Sequence, residues 1–349
     1  MEIQNLNLIS FRCFNKFYVD FSSNYVFISG PNGSGKSAIL ESIFLIFSGH
    51  SFRTSNDCDM IKKGENGYLV KADFKIENVS HKIETGRIKG SRFLKLDNRS
   101  TTWKDINHFM PCVALNYEDL FLVLGPDIKR RFFINEILCK IDKKYSDNLE
   151  TFRKILRQKT VILKKKNTEL LEAVNVQFSH YGTLIMESRE RFLKTFSEEF
   201  AKNFLSLSGI EAKINYEPSV SGTKEDVFKK LTDFNNRELI TGVCLVGPHR
   251  DKINLMFDKH LLRETASLGQ ARLAAIALRL TQISFLYEVL KEKPLVLMDD
   301  ITVELDKKNS IRFREFYKER YEGLQTIASG LTEYFQEDYQ NVCLVKEEC

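Results

Sequence analysis

Residues 25–44 read Tyr-Val-Phe-Ile-Ser-Gly-Pro-Asn-Gly-Ser-Gly-Lys-Ser-Ala-Ile-Leu-Glu-Ser-Ile-Phe, and the GxxxxGK[ST] pattern inside them constrains the fold more than any other stretch. The pattern is that of a phosphate-binding loop. Residues 25–28 form an aromatic and β-branched run suited to a buried strand, whereas Ile39, Ile43 and Ile46 recur at helical spacing. The loop therefore has to join a strand to a helix. Gly30, Gly33 and Gly35 permit the backbone conformations that turn successive N–H groups inward. With Pro31, Asn32 and Ser34 between them, they make a nest for phosphate oxygens at the positive end of the following helix. Lys36 would bring a charge to the β- and γ-phosphates, and the Ser37 hydroxyl would be a ligand to magnesium (Mg2+).

With 349 residues, 43% hydrophobic and 28% charged, the chain can bury a large core divided over two or three domains. It opens Met-Glu-Ile-Gln-Asn-Leu, without a basic and then apolar leader, and no apolar run approaches about 18 residues. The expectation is a cytoplasmic protein with no membrane partner. Seven cysteines are scattered and never spaced CxxC, so they are expected to be reduced packing residues. The formal charge of +5 is unevenly spread: residues 126–166 hold 13 Lys and Arg against 5 Asp and Glu. Such a segment points to a polyanionic partner, although a solvated helix face would give the same count. Its candidate DNA contacts are Lys129, Arg130, Arg131, Lys164, Lys165 and Lys166.

Along the chain, apolar alternation over residues 2–29 predicts a hairpin leading into the loop strand and the start of a mixed sheet, and further strands follow over residues 67–96. Between residues 129 and 207 there is no Pro and only Gly182, with apolar residues every three or four positions. That is a helical insertion, long enough for a short coiled-coil arm. From 239 the α/β pattern returns, with strands expected at 243–246 and 252–257, a helix opening at Ser267, and further strands at 325–328 and 342–345. The expected organisation is 1–117 and 239–349 as two parts of an α/β head, with an all-helical lobe at 118–238 between them. Pro294-Leu-Val-Leu-Met-Asp299-Asp300 is an apolar run ending in two carboxylates, as in a buried parallel strand with acids at its C-terminal tip. Asp299 would hold magnesium, and Asp300, pointing elsewhere along the pleat, would face the attacking water.

These motifs occur in a characteristic order: a phosphate loop near residue 30, a helical insertion, Ser267-Leu-Gly-Gln-Ala-Arg272, and the acids near 299. That order resembles the P-loop ABC-type ATPase heads of the SMC superfamily. Ser48-Gly-His-Ser-Phe-Arg53, Glu118-Asp119-Leu120, Gly247-Pro-His-Arg-Asp251 and Asp299-Asp300-Ile-Thr-Val-Glu304-Leu-Asp306 narrow the likeness to the RecF family of recombination mediators. The resemblance implies an ATP-dependent homodimer with slow, DNA-stimulated ATP hydrolysis. It also implies binding to single-stranded and duplex DNA or their gap junctions, and partnership with RecO and RecR in loading RecA. On the matching positions, Ser267, Gly269 and Gln270 would contact the γ-phosphate held by the opposite protomer, and Arg53 would lie near nucleotide. Lys36 and Asp300 would be the catalytic pair.

There are departures from the family pattern. The last histidine is His260, so a switch histidine after residue 300 is missing, and Ser329 or Thr326 stands in its place. Tyr117 and Lys252 replace a proline and an aspartate usual in the family. Two other readings of the loop are a P-loop kinase with residues 126–207 as a lid, and an ABC transporter ATPase subunit. A kinase has no need of a Ser-Leu-Gly-Gln helix start, and the missing histidine and basic segment weigh against a transporter.

Overall fold

The computed structural model describes residues 1–106, 108–300, 305–330 and 339–344. The chain forms two compact units, Met1–Leu120 with Arg272–Cys349, and Phe121–Ala271. In chain order, the first unit opens with β1 (Glu2–Phe11), β2 (Phe14–Asp20), β3 (Tyr25–Ser29) and α1 (Lys36–Ser48). It continues through β4 (Tyr68–Ile76), β5 (Val79–Ile88), β6 (Ser91–Leu96), β7 (Arg99–Ser100), α2 (Trp103–Ile106) and β8 (Cys112–Leu115). After α3 (Leu120–Val123) come α4 (Asp127–Ile141), α5 (Lys143–Lys164), α6 (Leu171–Ser208), β9 (Lys213–Glu217), α7 (Lys224–Thr241), β10 (Lys252–Phe257), β11 (His260–Leu261) and α8 (Leu262–Thr265). The chain then runs through α9 (Leu268–Leu290), β12 (Leu295–Asp299), α10 (Lys307–Tyr321), β13 (Thr326–Ser329) and β14 (Gln340–Cys343).

The expected mixed sheet is two sheets. One is antiparallel, in the order β2-β1-β4-β5-β6-β7; the other is parallel, in the order β14-β3-β13-β12-β8. Alternation explains the first: along β4, Tyr68, Val70, Ala72 and Phe74 are buried and Lys71 is exposed. Continuous apolar strands explain the second, since Leu295, Val296, Leu297 and Met298 of β12 are all buried. Helix α1 packs against strands of both sheets, and every residue from Ala38 to Ser48 is buried. Such all-round burial is why its sequence lacks an outward polar stripe. Helix α9 is long and apolar enough by composition to cross a bilayer, but 67% of its apolar window is buried.

The second unit departs from an all-helical lobe. Its helices α5 and α6 are joined through residues 165–170 and pack on each other, but β11, β10 and β9 form a small antiparallel sheet. No strand forms at 243–246, because side chains take the donors a ladder would need: Leu245 N–H donates to Glu238 Oε1 (2.7 Å) and Gly247 N–H to Ser219 Oγ (2.8 Å). The return to the first unit falls at Arg272 instead of residue 239. The reason is that Asp251 bonds Arg189 and Tyr216, while Glu238 pairs with Lys159, which ties residues 238–257 into the helical unit. Cys58, Cys112, Cys139, Cys244 and Cys343 are in no disulfide, and Cys13 is disulfide-bonded, against the expectation of thiols throughout.

Candidate functional site

The loop of residues 30–35 follows β3 and ends on the N-terminus of α1. Gly35 sits at φ 95°, and an ideal Cβ there would lie 2.9 Å from Cys13 Sγ and inside the Phe14 ring, so only glycine fits against the β1–β2 turn. Gly30, at φ 147°, would bring a Cβ to 2.8 Å from the Leu344 carbonyl and from Ser34 Oγ. Lys36 Nζ donates to the carbonyls of Gly30 (2.8 Å) and Pro31 (3.1 Å), keeping its charge at the mouth of the loop. The Ser34 hydroxyl is fully buried and has no hydrogen-bond partner among the described residues. Oriented N–H groups, a nearby ammonium and an unsatisfied buried hydroxyl together fit the phosphates of a nucleotide.

Strand β13 lies between β3 and β12, in a register that sets Ile28, Ser329 and Asp299 side by side. The C-terminal tips of these parallel strands converge where open α/β sheets bind ligands. Asp299 Oδ1 accepts from Ser37 Oγ (2.9 Å) and Ser329 Oγ (2.6 Å). Burial raises the pKa of Asp299, against the lowering effect of these two hydroxyls. A hydroxyl and a carboxylate oxygen at this spacing suit a hard cation that completes its shell with water and phosphate oxygens. Of the two hydroxyl residues considered for the missing histidine, Ser329 is at the site. Thr326 is at the other end of β13, bonded to the Tyr317 hydroxyl (2.8 Å). Asp300 follows at φ 48°, with its N–H on the Ser329 carbonyl (3.3 Å). Residues 301–304 of the motif around Asp299 lie outside the described residues.

Arg53 lies 3.6 Å from Glu41 and is 44% exposed. Glu41, on α1, also accepts from Arg12 (2.8 and 2.5 Å) and from Ser51. Glu41 is not among the residues expected from the sequence, although the one acid of α1, set among apolar residues, is a visible signal.

Ser267 opens α9 with a reciprocal cap: Gln270 N–H donates to Ser267 Oγ (3.2 Å) and Ser267 N–H to Gln270 Oε1 (2.9 Å). Ser267 and Leu268 are exposed, with Gly269 and Gln270 half-buried. Arg272 is buried and donates to the Asn116 carbonyl (2.8 Å), and Arg279 pairs with Asp119 (2.6 Å). Asp119 in turn accepts from Asn116 N–H (2.9 Å), so this acid holds its own turn together.

In the second unit, Lys129 is exposed, and Lys164, Lys165 and Lys166 are exposed at the end of α5. Arg130 must be withdrawn as a DNA contact. It is 4% exposed and donates to the carbonyls of Leu122 (3.1 Å) and Gly125 (2.9 Å), with Asp127 as its ion partner (2.5 Å). It caps the end of α3. Arg131 is half-buried and donates to the Asp251 carbonyl (2.6 Å), and burial lowers its pKa. His249 is held neutral, its pKa lowered to about 4 by burial, and Nε2 donates to the Cys244 carbonyl (3.1 Å).

The model of the RecF/RecN/SMC N-terminal domain family matches residues 2–348. The chain is 30% identical over 313 residues to the DNA replication and repair protein RecF of Treponema pallidum (strain Nichols), covering 88% of this chain and 89% of that protein. A solved structure of the recombination mediator protein RecF with ATP superposes with a TM-score of 0.88 at 26% identity, covering 96% of this chain and 93% of that one. An Smc head domain from Pyrococcus furiosus, at 20% identity and a TM-score of 0.56 over 95% of this chain and 90% of that one, shares the fold. By its family match over nearly its whole length, and by this identity over most of it, the chain belongs to the RecF family within the RecF/RecN/SMC ATPase heads.

Proposed function

We propose that the chain is an ATP-dependent DNA-binding protein of recombinational repair and replication-fork recovery, active as an ATP-induced homodimer. The observation that carries this reading is the convergence of Ser37, Asp299 and Ser329 beside the loop that holds Lys36 at its mouth and the buried, unpartnered Ser34 hydroxyl. Residues 30–37 would hold the phosphates, with Arg53 at the nucleotide. Ser37 and Asp299 would hold Mg2+, which when bound draws charge from the phosphates. Asp300 would orient and take a proton from the attacking water through its carboxylate.

The exposed start of α9 supports the dimer. Ser267, Gly269 and Gln270 present a hydroxyl and N–H groups at a helix N-terminus, chemistry suited to a phosphate held by a second copy. Such a switch binds single-stranded and duplex DNA or gap junctions in one nucleotide state and lets go in the other. Exposed Lys129 and Lys164–166 are the candidate contacts. The solved relative is described as a recombination mediator of the RecFOR pathway. We carry that over as partnership with RecR and RecO, and through them with RecA on gapped DNA. The family match weighs against the kinase and transporter readings.

Lys36→Ala tests the loop. Losing a charge-assisted contact to two phosphates should weaken ATP binding by roughly 10- to 100-fold in a protein that still folds, since among the described residues Lys36 bonds loop carbonyls. Wild-type ATP affinity in the folded variant would remove the nucleotide reading.

A further inference from the structure

Glu41 is a carboxylate with no solvent exposure, in a helix whose other residues from Ala38 to Ser48 are also buried. An ionised acid persists in such a place only when counter-charges and donors compensate its desolvation. Here two guanidinium groups do so, unequally. Arg12 makes a two-point contact at 2.8 and 2.5 Å, is 21% exposed, and spends another N–H on the Asp59 carbonyl (2.6 Å). Arg53 stands off at 3.6 Å and is 44% exposed. One arginine is fixed and the other is poised.

Glu41 also governs the segment that carries Arg53. The Ser51 hydroxyl donates to Glu41 and accepts from the backbone N–H groups of Arg53 (2.9 Å) and Thr54 (3.1 Å). The carboxylate thus sets the start of this turn as well as the guanidinium beyond it. Helical geometry adds a third relation. Ser37 and Glu41 are four residues apart on α1 and share a face, so the turn that offers Ser37 to Asp299 offers Glu41 to Arg53 one turn later. Neutralising Glu41 would need only Arg12. A second guanidinium, reached through a hydroxyl-anchored turn, is left over for another task.

We propose that Glu41 is a positioning residue of the nucleotide site: with Arg12 as fixed counter-charge and Ser51 as its hold on the loop, it keeps Arg53 aimed at bound nucleotide. The proposal rests on the ATP-site reading above. It deepens that reading by tying the β1–β2 turn to the phosphates through one buried charge.

The test is ATP affinity with Mg2+ across a double-mutant cycle of the full chain: Glu41→Gln, Arg53→Met and both together, with Ser51→Ala and Lys36→Ala alongside. Glu41→Gln and Arg53→Met should each weaken ATP binding roughly 5- to 30-fold, and the double variant no more than Arg53→Met alone, because Glu41 acts through Arg53. Ser51→Ala, which leaves the Arg12–Glu41 pair in place, should weaken binding in the same direction. Full additivity in the double variant, or unchanged affinity in folded Glu41→Gln, would overturn the proposal. If Glu41→Gln does not fold, Ser51→Ala decides: weakened binding supports the assignment and wild-type affinity overturns it. Wild-type affinity in Lys36→Ala would remove the nucleotide reading itself and this proposal with it, an outcome distinct from failure of the cycle.

Discussion

Replacing Asp251 with asparagine, an isosteric change, should destabilise the second unit almost as much as deleting the side chain. Asp251 is fully buried, and each of its three side-chain partners is a donor. Arg189 Nη1 (2.6 Å) and the Tyr216 hydroxyl (2.5 Å) share Oδ2, and Ser219 N–H (2.9 Å) takes Oδ1. The Tyr216 phenol is held protonated, its pKa raised chiefly by burial and further by the Asp251 charge. An asparagine NH₂ has to face either Arg189 with Tyr216, or Ser219, and both choices set donor against donor. The buried Arg189 also loses its counter-ion; its remaining partners are the Pro248 carbonyl, Asn135 and Tyr145. Removing one member of a buried pair costs about 3–5 kcal/mol, a large part of a total stability of roughly 5–15 kcal/mol. Urea unfolding followed by linear extrapolation measures it, and Arg189→Met with the double variant closes a cycle. The double variant should lose at least about 1 kcal/mol less than the sum of the two single losses. A change within about 0.5 kcal/mol for Asp251→Asn, or strict additivity, would refute the reasoning.

Neutralising Lys164, Lys165 and Lys166 together should weaken DNA binding alike for all sequences and lower the salt slope by about 2 to 3, measured as affinity against salt concentration; an unchanged slope would assign these exposed lysines to solvent. Burial raises the Asp299 pKa, so its carboxylate takes up a proton at higher pH than an ordinary aspartate. Mg2+-supported ATP binding should therefore fall on acidification earlier than a solvent-exposed carboxylate would dictate. The stability effect has the opposite sign: in the window between the ordinary and the raised value the folded state holds more protons, so this group's contribution favours folding less as pH rises. Titrating Mg2+ into the ATP complex at several pH values reads the first effect.

How much was legible in the sequence depends on how local the signal is. The phosphate loop is a contiguous pattern, and the carbonyls that hold Lys36, those of Gly30 and Pro31, lie within it. The place of Asp299 at the tip of a buried strand was legible because β12 is apolar on both faces and ends in an acid. Arg130 misled because a charge count carries no burial: its guanidinium is consumed by the end of a helix a few residues away. The boundary at 239 and the strand at 243–246 misled for a related reason. Four apolar residues suit a strand, but the donors of Leu245 and Gly247 are claimed by Glu238 and Ser219, residues separated from them in sequence. Glu41 was passed over because a single acid on a helix usually faces water; only packing between two sheets makes it a buried hub.

The central claim, that ATP joins two copies through Ser267, is tested most directly by sedimentation of wild type and Ser267→Arg with and without ATP. Ser267 is exposed and its local role is a helix cap, so the substitution should cost only about 1 kcal/mol of stability. The account predicts that wild type dimerises on ATP, while Ser267→Arg binds ATP with near wild-type affinity and sediments as a monomer in its presence. A variant that still dimerises on ATP, or a wild type whose mass is the same with and without ATP, would contradict it.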